Sequence, residues 1–226
     1  MNGDIFTNIN CSKKGDYTKL SLSLRPRQSV FVVFSENDCL DRTKNYNIQY
    51  CCTDTLVYDT LEGTMTFEGD SIIGSLPIFS FRSFTESKDS LVRYYSGDVT
   101  YRTKFEISKK YFSNQNIFQM QIPAFGSTAR IELNGNLVAT VWDPTEKIDI
   151  TKYINEGSNN LVVQVTNPWR NRLIGDKIQN RGNKATWTTS PMIDKYDPVP
   201  IISKHAELLP SGISQPIYIY VVKPLK

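Results

Sequence analysis

The chain contains a single histidine, His205, and this scarcity argues against several kinds of active site. A serine or cysteine triad would have to be built around that residue, yet nothing near it nominates a nucleophile and the sequence has no Gly-x-Ser-x-Gly motif. We therefore expect His205 to be a surface or loop residue. The four cysteines all lie within the first 52 residues and match no zinc-ligand spacing, so no metal site made of cysteine and histidine is predicted.

The sequence also lacks long apolar runs and any strong bias of charge. No stretch approaches the roughly 20 apolar residues that a transmembrane helix needs, so no membrane span is predicted. Lys and Arg together number 26 and Asp and Glu 23, and the two signs are interspersed, so a nucleic-acid partner is not expected. Phosphate-binding glycine motifs are absent as well, which argues against nucleotide binding.

Strand-like patterns fill most of the chain. In the segment TKLSLSL, Leu20, Leu22 and Leu24 alternate with polar residues, which predicts a half-buried strand, and SVFVVF (29–34) predicts a more fully buried one. A polar stretch at 35–46 then marks a boundary between two units. Further strand patterns follow it: GTMTF (63–67), SGDVTYRTKFEI (96–107), NIFQMQI (116–122), NNLVVQVTN (159–167) and QPIYIYVV (215–222).

Turn signals between these segments indicate how the strands are connected. ARIELNGNLVATVW is the clearest hairpin, because Asn134 and Gly135 can take the positive φ values that a type I′ turn requires. KIDIT (147–151) leads into a short helical turn that Gly157 closes. We predict about ten short strands and no helix longer than about two turns, a pattern that favours an all-β antiparallel sandwich or jelly roll.

Carboxylates are plentiful, with 23 Asp and Glu residues. A glycosidase needs two carboxyl groups flanking the scissile bond, and this count satisfies the requirement without locating a site. Asp143, Asp149 and Asp176 stand out because each lies beside a tryptophan or at a loop-rich corner. For each we predict loop capping or strand-end hydrogen bonding, with a direct sugar or metal role as the alternative.

The three tryptophans, Trp142, Trp169 and Trp187, occur at strand ends or in loops, where a flat ring can stack on the face of a pyranose. For Trp169, packing against the edge of the sandwich is the preferred interpretation and ligand contact is the alternative. Loops such as NEGSNN (155–160) offer oxygen ligands for a structural calcium ion, although their spacing matches no specific calcium motif.

The stretch VTNPWRNRLIGD (165–176) concentrates polar and aromatic residues near the end of the strand pattern. A strand is predicted to end at Thr166, and Pro168 removes a backbone donor and forbids further central pairing. The chain is then expected to enter a long loop in which the Arg172 guanidinium pairs with the Asp176 carboxylate. We interpret the stretch as a structural corner with Trp169 over the sandwich edge, or alternatively as a surface that contacts a catalytic barrel or its sugar.

Taken in order, several motifs resemble one family. They are S-G-x-x-x-Y (96–101), L-N-G (133–135), D-I-T (149–151), W-x-N-R-L-I-G-D (169–176) and P-S-G-I (210–213), and before them LSLRPRQSVFVVF (22–34). Together they are similar to the C-terminal region of bacterial α-L-rhamnosidase-like glycoside hydrolases (family 106), and to the galactose-binding-like jelly roll of family 2 enzymes. The resemblance implies a β-sandwich over residues 54–226, preceded at 1–45 by the last strands of a neighbouring β domain.

The resemblance also implies a function. In that family the catalytic carboxylates belong to a (β/α)₈ barrel, which needs roughly 250 residues of its own, so no catalytic residue is assigned here. The expectation is a non-catalytic, carbohydrate-associated module that braces the barrel and contacts plant or microbial glycan. No cofactor is expected beyond the structural calcium considered above, and the resemblance implies a periplasmic or secreted protein. The tentative substrate-binding residues are Trp142, Trp169, Asn171, Arg172 and Asp176.

Two departures from the family pattern weaken the sugar-binding part of this expectation. Asp143 and Pro144 follow Trp142 where similar sequences often carry a second aromatic residue, and SGISQPI (211–217) lacks a glycine of the usual last turn. The alternatives are a self-sufficient glycosidase that uses a carboxyl pair, and a pure protein-interaction domain.

Overall fold

The computed structural model describes residues 5–7, 11–22, 24, 29–34, 43–45, 50–70, 72–113, 115–179 and 205–225. The chain divides into two compact units, one formed by residues 1–51 with 223–226 and the other by residues 52–222. The predicted boundaries at 45 and 54 bracket this division, but the assignment of 1–45 to a preceding domain stays a prediction.

The smaller unit contains four short strands in its described residues. Strand β1 (Ile5–Thr7) pairs in parallel with β4 (Thr43–Asn45), and β2 (Cys11–Lys14) forms an antiparallel hairpin with β3 (Tyr17–Leu20). The hairpin turns at Gly15, whose φ of +60° suits a residue without a Cβ. The parallel β1–β4 pair departs from the all-antiparallel expectation. Parallel pairing needs a long connection, and residues 8–42 separate these two strands.

The predicted buried strand at 29–34 is wrong. None of these residues is in a strand, and Phe31 and Val33 are 81% and 80% exposed. A continuous apolar run signals a buried strand only where neighbouring strands accept its backbone hydrogen bonds and cover both faces. Residues 29–34 pair with no strand among the described residues, so the composition alone does not produce one.

The larger unit is a β-sandwich of two sheets. The six-stranded sheet has the order β11-β10-β13-β8-β6-β7 and the four-stranded sheet the order β12-β9-β14-β5. The pairings described within both sheets are antiparallel. The strands are β5 (Tyr50–Tyr58), β6 (Gly63–Phe67), β7 (Ser75–Pro77), β8 (Gly97–Ile107), β9 (Ile117–Gln121), β10 (Thr128–Leu133), β11 (Asn136–Val141), β12 (Ile148–Asp149), β13 (Gly157–Asn167) and β14 (Ile217–Pro224).

Alternation along the long strands places the core between the sheets, as the sequence pattern predicts. On β8, Val99, Tyr101, Thr103 and Phe105 are all buried. Residues from both sheets form one hydrophobic cluster, which confirms the predicted sandwich. Its members include Val99, Phe105, Ile131, Leu161, Val163 and Val165 from the six-stranded sheet and Phe118, Met120, Ile217, Ile219 and Val221 from the four-stranded sheet.

The predicted hairpin is present between β10 and β11. Asn134 and Gly135 have φ values of 51° and 80°, the positive pair that a type I′ turn requires. The turn is also fixed from outside, because the Asn134 amide donates to the Tyr153 carbonyl and to the Asn159 side chain, both at 2.8 Å. The hairpin is thus attached to the loop before β13.

The expectation of a loop after Thr166 is wrong, and so is the expectation of no helix longer than two turns. Helix α2 (Arg170–Gln179) has ten residues, whereas α1 (Ser90–Arg93) has four and Phe84–Glu86 and Lys109–Tyr111 are 3₁₀ turns. Pro168 lies just before the first turn of α2, where a missing N–H costs nothing. The buried face of α2 consists of Asn171, Ile174, Gly175 and Asp176, a helical spacing hidden by its mostly polar residue types.

Gly175 lets this helix approach the sandwich closely. A Cβ on Gly175 would lie 2.5 Å from Cγ of Tyr94, an atom next to the Tyr94 backbone that has little room to move.

Among the described residues, no helix is long and apolar enough to cross a membrane.

Three core tyrosines make the folded state sensitive to high pH. Burial raises the pKa of Tyr58 and Tyr95 from 10.0 to about 12, and it raises the pKa of Tyr101 further. The folded protein therefore keeps phenolic protons that the unfolded chain loses above about pH 10. The contribution of these tyrosines to the free energy of unfolding is fully present below that pH and falls as pH rises toward 12. Urea midpoints measured between these pH values should decrease, and Tyr95→Phe should reduce the slope. An unchanged midpoint would contradict the prediction.

Candidate functional site

A small cleft lies where the turn after β6, the residues before β8 and helix α2 meet. It has a volume of about 180 Å³, and its lining residues are Asp70, Tyr95, Ser96, Trp169 and Arg172. Trp169 is 61% exposed, so its indole ring is accessible beside the cleft. An aromatic ring, a hydroxyl group, a carboxylate and a guanidinium group therefore converge on one concave surface, a combination suited to a polar ligand with an apolar face.

The predicted pairing of Arg172 with Asp176 is present, although on a helix and not in a loop. The Arg172 Nε atom lies 3.2 Å from Oδ1 of Asp176, one helical turn further along α2. Nε is nevertheless buried without a hydrogen-bond partner, because its N–H is not directed at that oxygen. Asp176 thus balances the charge of Arg172 without using the Nε donor.

Ser96 contributes a second unpaired polar atom to the cleft. Its Oγ is buried and makes no hydrogen bond in the structure. Buried polar groups are nearly always paired, so two unpaired atoms in one small cleft are exceptional. The Ser96 hydroxyl can donate or accept and the Arg172 Nε–H can only donate, and no described protein group satisfies either atom.

The back of the cleft is fixed by Tyr95. Its hydroxyl lies 3.0 Å from the carbonyl oxygens of Glu68 and Asp98, to which it donates. Burial raises the pKa of Tyr95 to about 12, and the negative charges of Asp70, Asp98 and Glu68 raise it in the same direction. The phenol therefore remains a protonated donor at neutral pH and holds the turn after β6 against the start of β8.

Asp70 is held by its own turn. Its Oδ1 accepts hydrogen bonds from the backbone N–H groups of Ile72 and Ile73, both at 3.0 Å. These bonds orient the carboxylate as in an Asx-turn. The other carboxylate oxygen, Oδ2, is not used by this turn and belongs to a side chain that lines the cleft.

Comparison with known proteins identifies the family. A family model described as glycosyl hydrolase 2 galactose-binding domain-like matches residues 82–196, about half of the chain. The chain belongs to this family. The match confirms the resemblance inferred from the motifs and shows a galactose-binding-like domain of the kind associated with glycoside hydrolases.

Individual relatives point to the same class of protein. The rhamnosidase structure from Novosphingobium sp. PP1Y has a TM-score of 0.70 and 29% identity, over 94% of this chain and 19% of that one. A Formosa agariphila protein with the provisional name beta-glucuronidase is 29% identical over 185 residues, which are 72% of this chain and 15% of that protein. A β-D-glucuronidase structure from Dictyoglomus thermophilum, with 22% identity and a TM-score of 0.49 over 76% of this chain and 28% of that one, is too distant to bear on function. The chain spans less than a fifth of the first two relatives.

The P-S-G-I motif ties together several segments of the galactose-binding-like domain. Backbone N–H groups of the P-S-G-I segment donate to three side chains from elsewhere in the chain: Ser211 to Ser83 Oγ at 3.1 Å, Gly212 to Asn167 Oδ1 at 2.7 Å and Ile213 to the Tyr101 hydroxyl at 3.0 Å. The W-x-N-R-L-I-G-D and P-S-G-I motifs are therefore first of all structural, since they join α2, β8 and β13.

Asn171 belongs to that structural set. Its side chain is 1% exposed and pairs with the backbone of Leu209, donating from Nδ2 to the carbonyl at 2.7 Å and accepting from the N–H at 2.9 Å. We therefore leave Asn171 out of the surface considered for glycan contact. Arg170 adds to the same attachment, because its Nε and Nη2 donate to the Glu207 carbonyl, both at 3.0 Å.

The remaining sequence candidates that the structure describes lie outside the cleft. Trp142 follows β11 and is 53% exposed, but it is not among the lining residues. Trp187 lies outside the described residues. His205 is an exposed turn residue, as expected.

Two of the three acids that the sequence singled out cap their own loops. Asp143 Oδ1 accepts from Thr145 N at 2.9 Å and from Thr145 Oγ1 at 2.8 Å, and Asp149 Oδ1 accepts from Thr151 N at 2.9 Å. These contacts confirm the capping interpretation for Asp143 and Asp149. Asp176 instead pairs with Arg172.

The loop considered for calcium uses several of its oxygens internally. The Asn159 amide donates to the carbonyl oxygens of Asn155 and Gly157, at 2.8 and 2.9 Å. Within the described part of the chain, no group of three or more His, Cys, Asp and Glu side chains is arranged to hold a metal ion. A structural calcium ion at this loop stays a prediction.

Sequence reasoning missed Asp70, Tyr95 and Ser96. They lie far from Trp169 and Arg172 in sequence, and only the S-G-x-x-x-Y motif contained a signal, since it begins at Ser96.

A larger and more open groove of about 780 Å³ lies at the opposite end of β8. Charges of both signs line it, namely Glu62, Glu106, Arg102 and Lys104. Among the described residues that line this larger groove, none has an unpaired buried atom and none is an exposed tryptophan. The small cleft is therefore the better candidate.

Proposed function

We propose that the chain is a non-catalytic, carbohydrate-associated module of a rhamnosidase-like glycoside hydrolase, and that its small cleft contacts glycan. The observation that carries this proposal is the cleft itself, in which the exposed Trp169 ring lies beside the unpaired Ser96 hydroxyl and Arg172 Nε–H. A sugar ring needs both kinds of surface, because its C–H groups form an apolar face and its hydroxyls must be hydrogen-bonded.

The contacts of the acids support a non-catalytic role. Asp143 and Asp149 accept hydrogen bonds from their own loops, and Asp176 neutralises Arg172. A general acid or nucleophile must instead be directed at the scissile bond. The self-sufficient glycosidase therefore remains the weaker alternative, and release of the aryl group from an aryl rhamnoside by the purified chain would favour it.

The second part of the proposed role is to brace the catalytic barrel of the parent enzyme. Support comes from the Novosphingobium rhamnosidase, in which a region similar to 94% of this chain forms 19% of a much longer polypeptide. A periplasmic or secreted location of the parent enzyme is part of the same proposal and rests on the family resemblance.

Titration with a rhamnose-containing oligosaccharide tests the glycan contact. Trp169→Ala should weaken binding by about tenfold, a loss of about 1.4 kcal/mol, because the ring supplies the apolar face of the cleft. Trp142→Ala is the matched control, since it removes another exposed tryptophan outside the cleft and should leave the affinity unchanged. Calorimetry is the suitable measurement, because both variants alter the fluorescence.

Two results would contradict the glycan contact. The first is equal weakening by Trp169→Ala and Trp142→Ala, which would place the sugar elsewhere. The second is no binding by the unaltered chain, which would leave only the bracing role. Circular dichroism of each variant should match that of the unaltered chain, since both side chains are exposed.

A further inference from the structure

We propose that the cleft selects a neutral sugar ring over a uronic acid. This inference rests on the proposed function, because it takes the cleft beside Trp169 as the glycan site and specifies which class of sugar that site accepts. Two relatives have names that refer to different classes of sugar. Rhamnosidase refers to a neutral sugar, and glucuronidase refers to an acidic one.

The charges around the cleft are unbalanced toward the negative. Among the described lining residues Arg172 is the one basic residue, and it is already paired with Asp176 at 3.2 Å. Asp70 also lines the cleft, and its carboxylate accepts from two backbone N–H groups and forms no ion pair with any described residue. The lining and its immediate ion pair therefore carry one negative charge in excess.

Two further carboxylates belong to Glu68 and Asp98, whose backbone carbonyls accept from the Tyr95 hydroxyl. Glu68 Oε1 accepts from Thr100 Oγ1 at 2.6 Å, and Asp98 Oδ1 accepts from Thr166 Oγ1 at 2.6 Å. Both partners are neutral hydroxyls, so these bonds orient the carboxylates without cancelling their charge. Neither carboxylate forms an ion pair within the part of the chain that the structure describes. These charges act on the Tyr95 phenol, which lines the cleft, so they would also repel a sugar carboxylate there.

The hydrogen-bonding groups favour the same choice. Arg172 Nε can only donate, Asp70 Oδ2 can only accept, and Ser96 Oγ can do either. A sugar hydroxyl both donates and accepts, and it can therefore donate to Asp70 Oδ2. A carboxylate only accepts, and beside Asp70 it would leave one acceptor facing another. The cleft thus matches hydroxyl groups better than a carboxylate.

The test is calorimetric titration of the full chain at low salt with three oligosaccharides that end in rhamnose, glucose or glucuronate. The glucosyl and glucuronosyl probes are matched, since they differ by a carboxylate in place of a hydroxymethyl group. We expect the tighter of the two neutral probes to bind at least about tenfold more tightly than the glucuronosyl probe, and the difference to shrink as salt screens the charges.

Asp70→Asn assigns the selectivity to the cleft. The asparagine oxygen can keep the two backbone hydrogen bonds that hold the turn, while the negative charge and the free acceptor are lost. We expect the ratio of neutral to acidic affinity to fall by about threefold or more. Glu156→Gln is the matched control, because it removes one negative charge at the opposite end of β13 and should leave the ratio unchanged.

The outcomes separate this inference from the function on which it rests. A glucuronosyl probe that binds as tightly as the neutral probes, or more tightly, overturns the inference and leaves the glycan contact in place. An unchanged ratio in Asp70→Asn also overturns it. Failure of all three probes to bind overturns the glycan contact itself, and the inference with it.

Discussion

Asn159→Ala is expected to lower the free energy of unfolding by about 3–5 kcal/mol, the largest effect we predict for a polar side chain in this domain. The Asn159 amide is fully buried and makes four hydrogen bonds of 2.7 to 2.9 Å. Its oxygen accepts from Asn155 N and Asn134 Nδ2, and its nitrogen donates to the carbonyls of Asn155 and Gly157. Alanine would leave these partly buried partners without a replacement, which costs about 1–3 kcal/mol for each that water cannot reach.

Asn160→Ala is the matched control for this prediction. Asn160 is the exposed neighbour of Asn159 on β13, and it enters the same network only through its backbone: its N–H donates to Asn134 Oδ1 and its carbonyl accepts from Asn134 N, both at 2.9 Å. Alanine keeps that N–H, so the expected change is within about 0.5 kcal/mol. Urea denaturation of both variants measures the difference, and equal stabilities would contradict the structural role of the Asn159 amide.

The two asparagines also show what sequence patterns can and cannot reveal. Alternation along NNLVVQVTN identifies β13 and its inward face, and by that alternation Asn159 lies on the same side as Leu161, Val163 and Val165. The pattern does not explain a polar residue on the core side. Its hydrogen-bond partners come from a turn and a hairpin that only the fold brings together. Without those partners, the residues of the loop at 155–160 were interpreted as oxygen ligands for calcium.

Helix α2 was hidden for a related reason. Its buried face uses Asn171, Ile174, Gly175 and Asp176, of which only Ile174 is recognisably apolar. Gly175 is required by its distance from Tyr94 and Asn171 by the Leu209 backbone, and both are tertiary contacts. By contrast, the hairpin at Asn134-Gly135 and the strand Gly97–Ile107 depend on local backbone geometry and alternation, and the sequence predicted both.

The cleft was predicted only in part because its residues come from three separate elements. Trp169 and Arg172 stood out as an aromatic and a charged residue in one short stretch. Asp70 and Ser96 are ordinary turn residues by sequence, and their importance depends on their position beside Trp169. Family motifs were therefore more informative about the cleft residues than residue types, because Ser96 and Arg172 both belong to such motifs.

Gly212→Ala is expected to destabilise the domain by about 2–4 kcal/mol, for two reasons that act together. Gly212 has a φ of +70°, which costs an alanine about 1 kcal/mol. A Cβ at this position would also lie 2.6 Å from the Tyr101 hydroxyl and 2.7 Å from two ring atoms of Phe84. Both rings are buried, and the Tyr101 hydroxyl accepts from Ile213 N, so neither can move without loss of core packing or of that hydrogen bond.

Gly157→Ala separates the two causes, because Gly157 has a φ of +79° but no atom within 4 Å of the Cβ position. It should cost only the backbone term of about 1 kcal/mol. The difference between the two variants in urea denaturation therefore measures the overpacking against Phe84 and Tyr101. If both variants lose the same stability, the P-S-G-I segment is not packed as the structure shows. If Gly212→Ala is the more damaging one, this family motif serves first to close the sandwich beside the cleft.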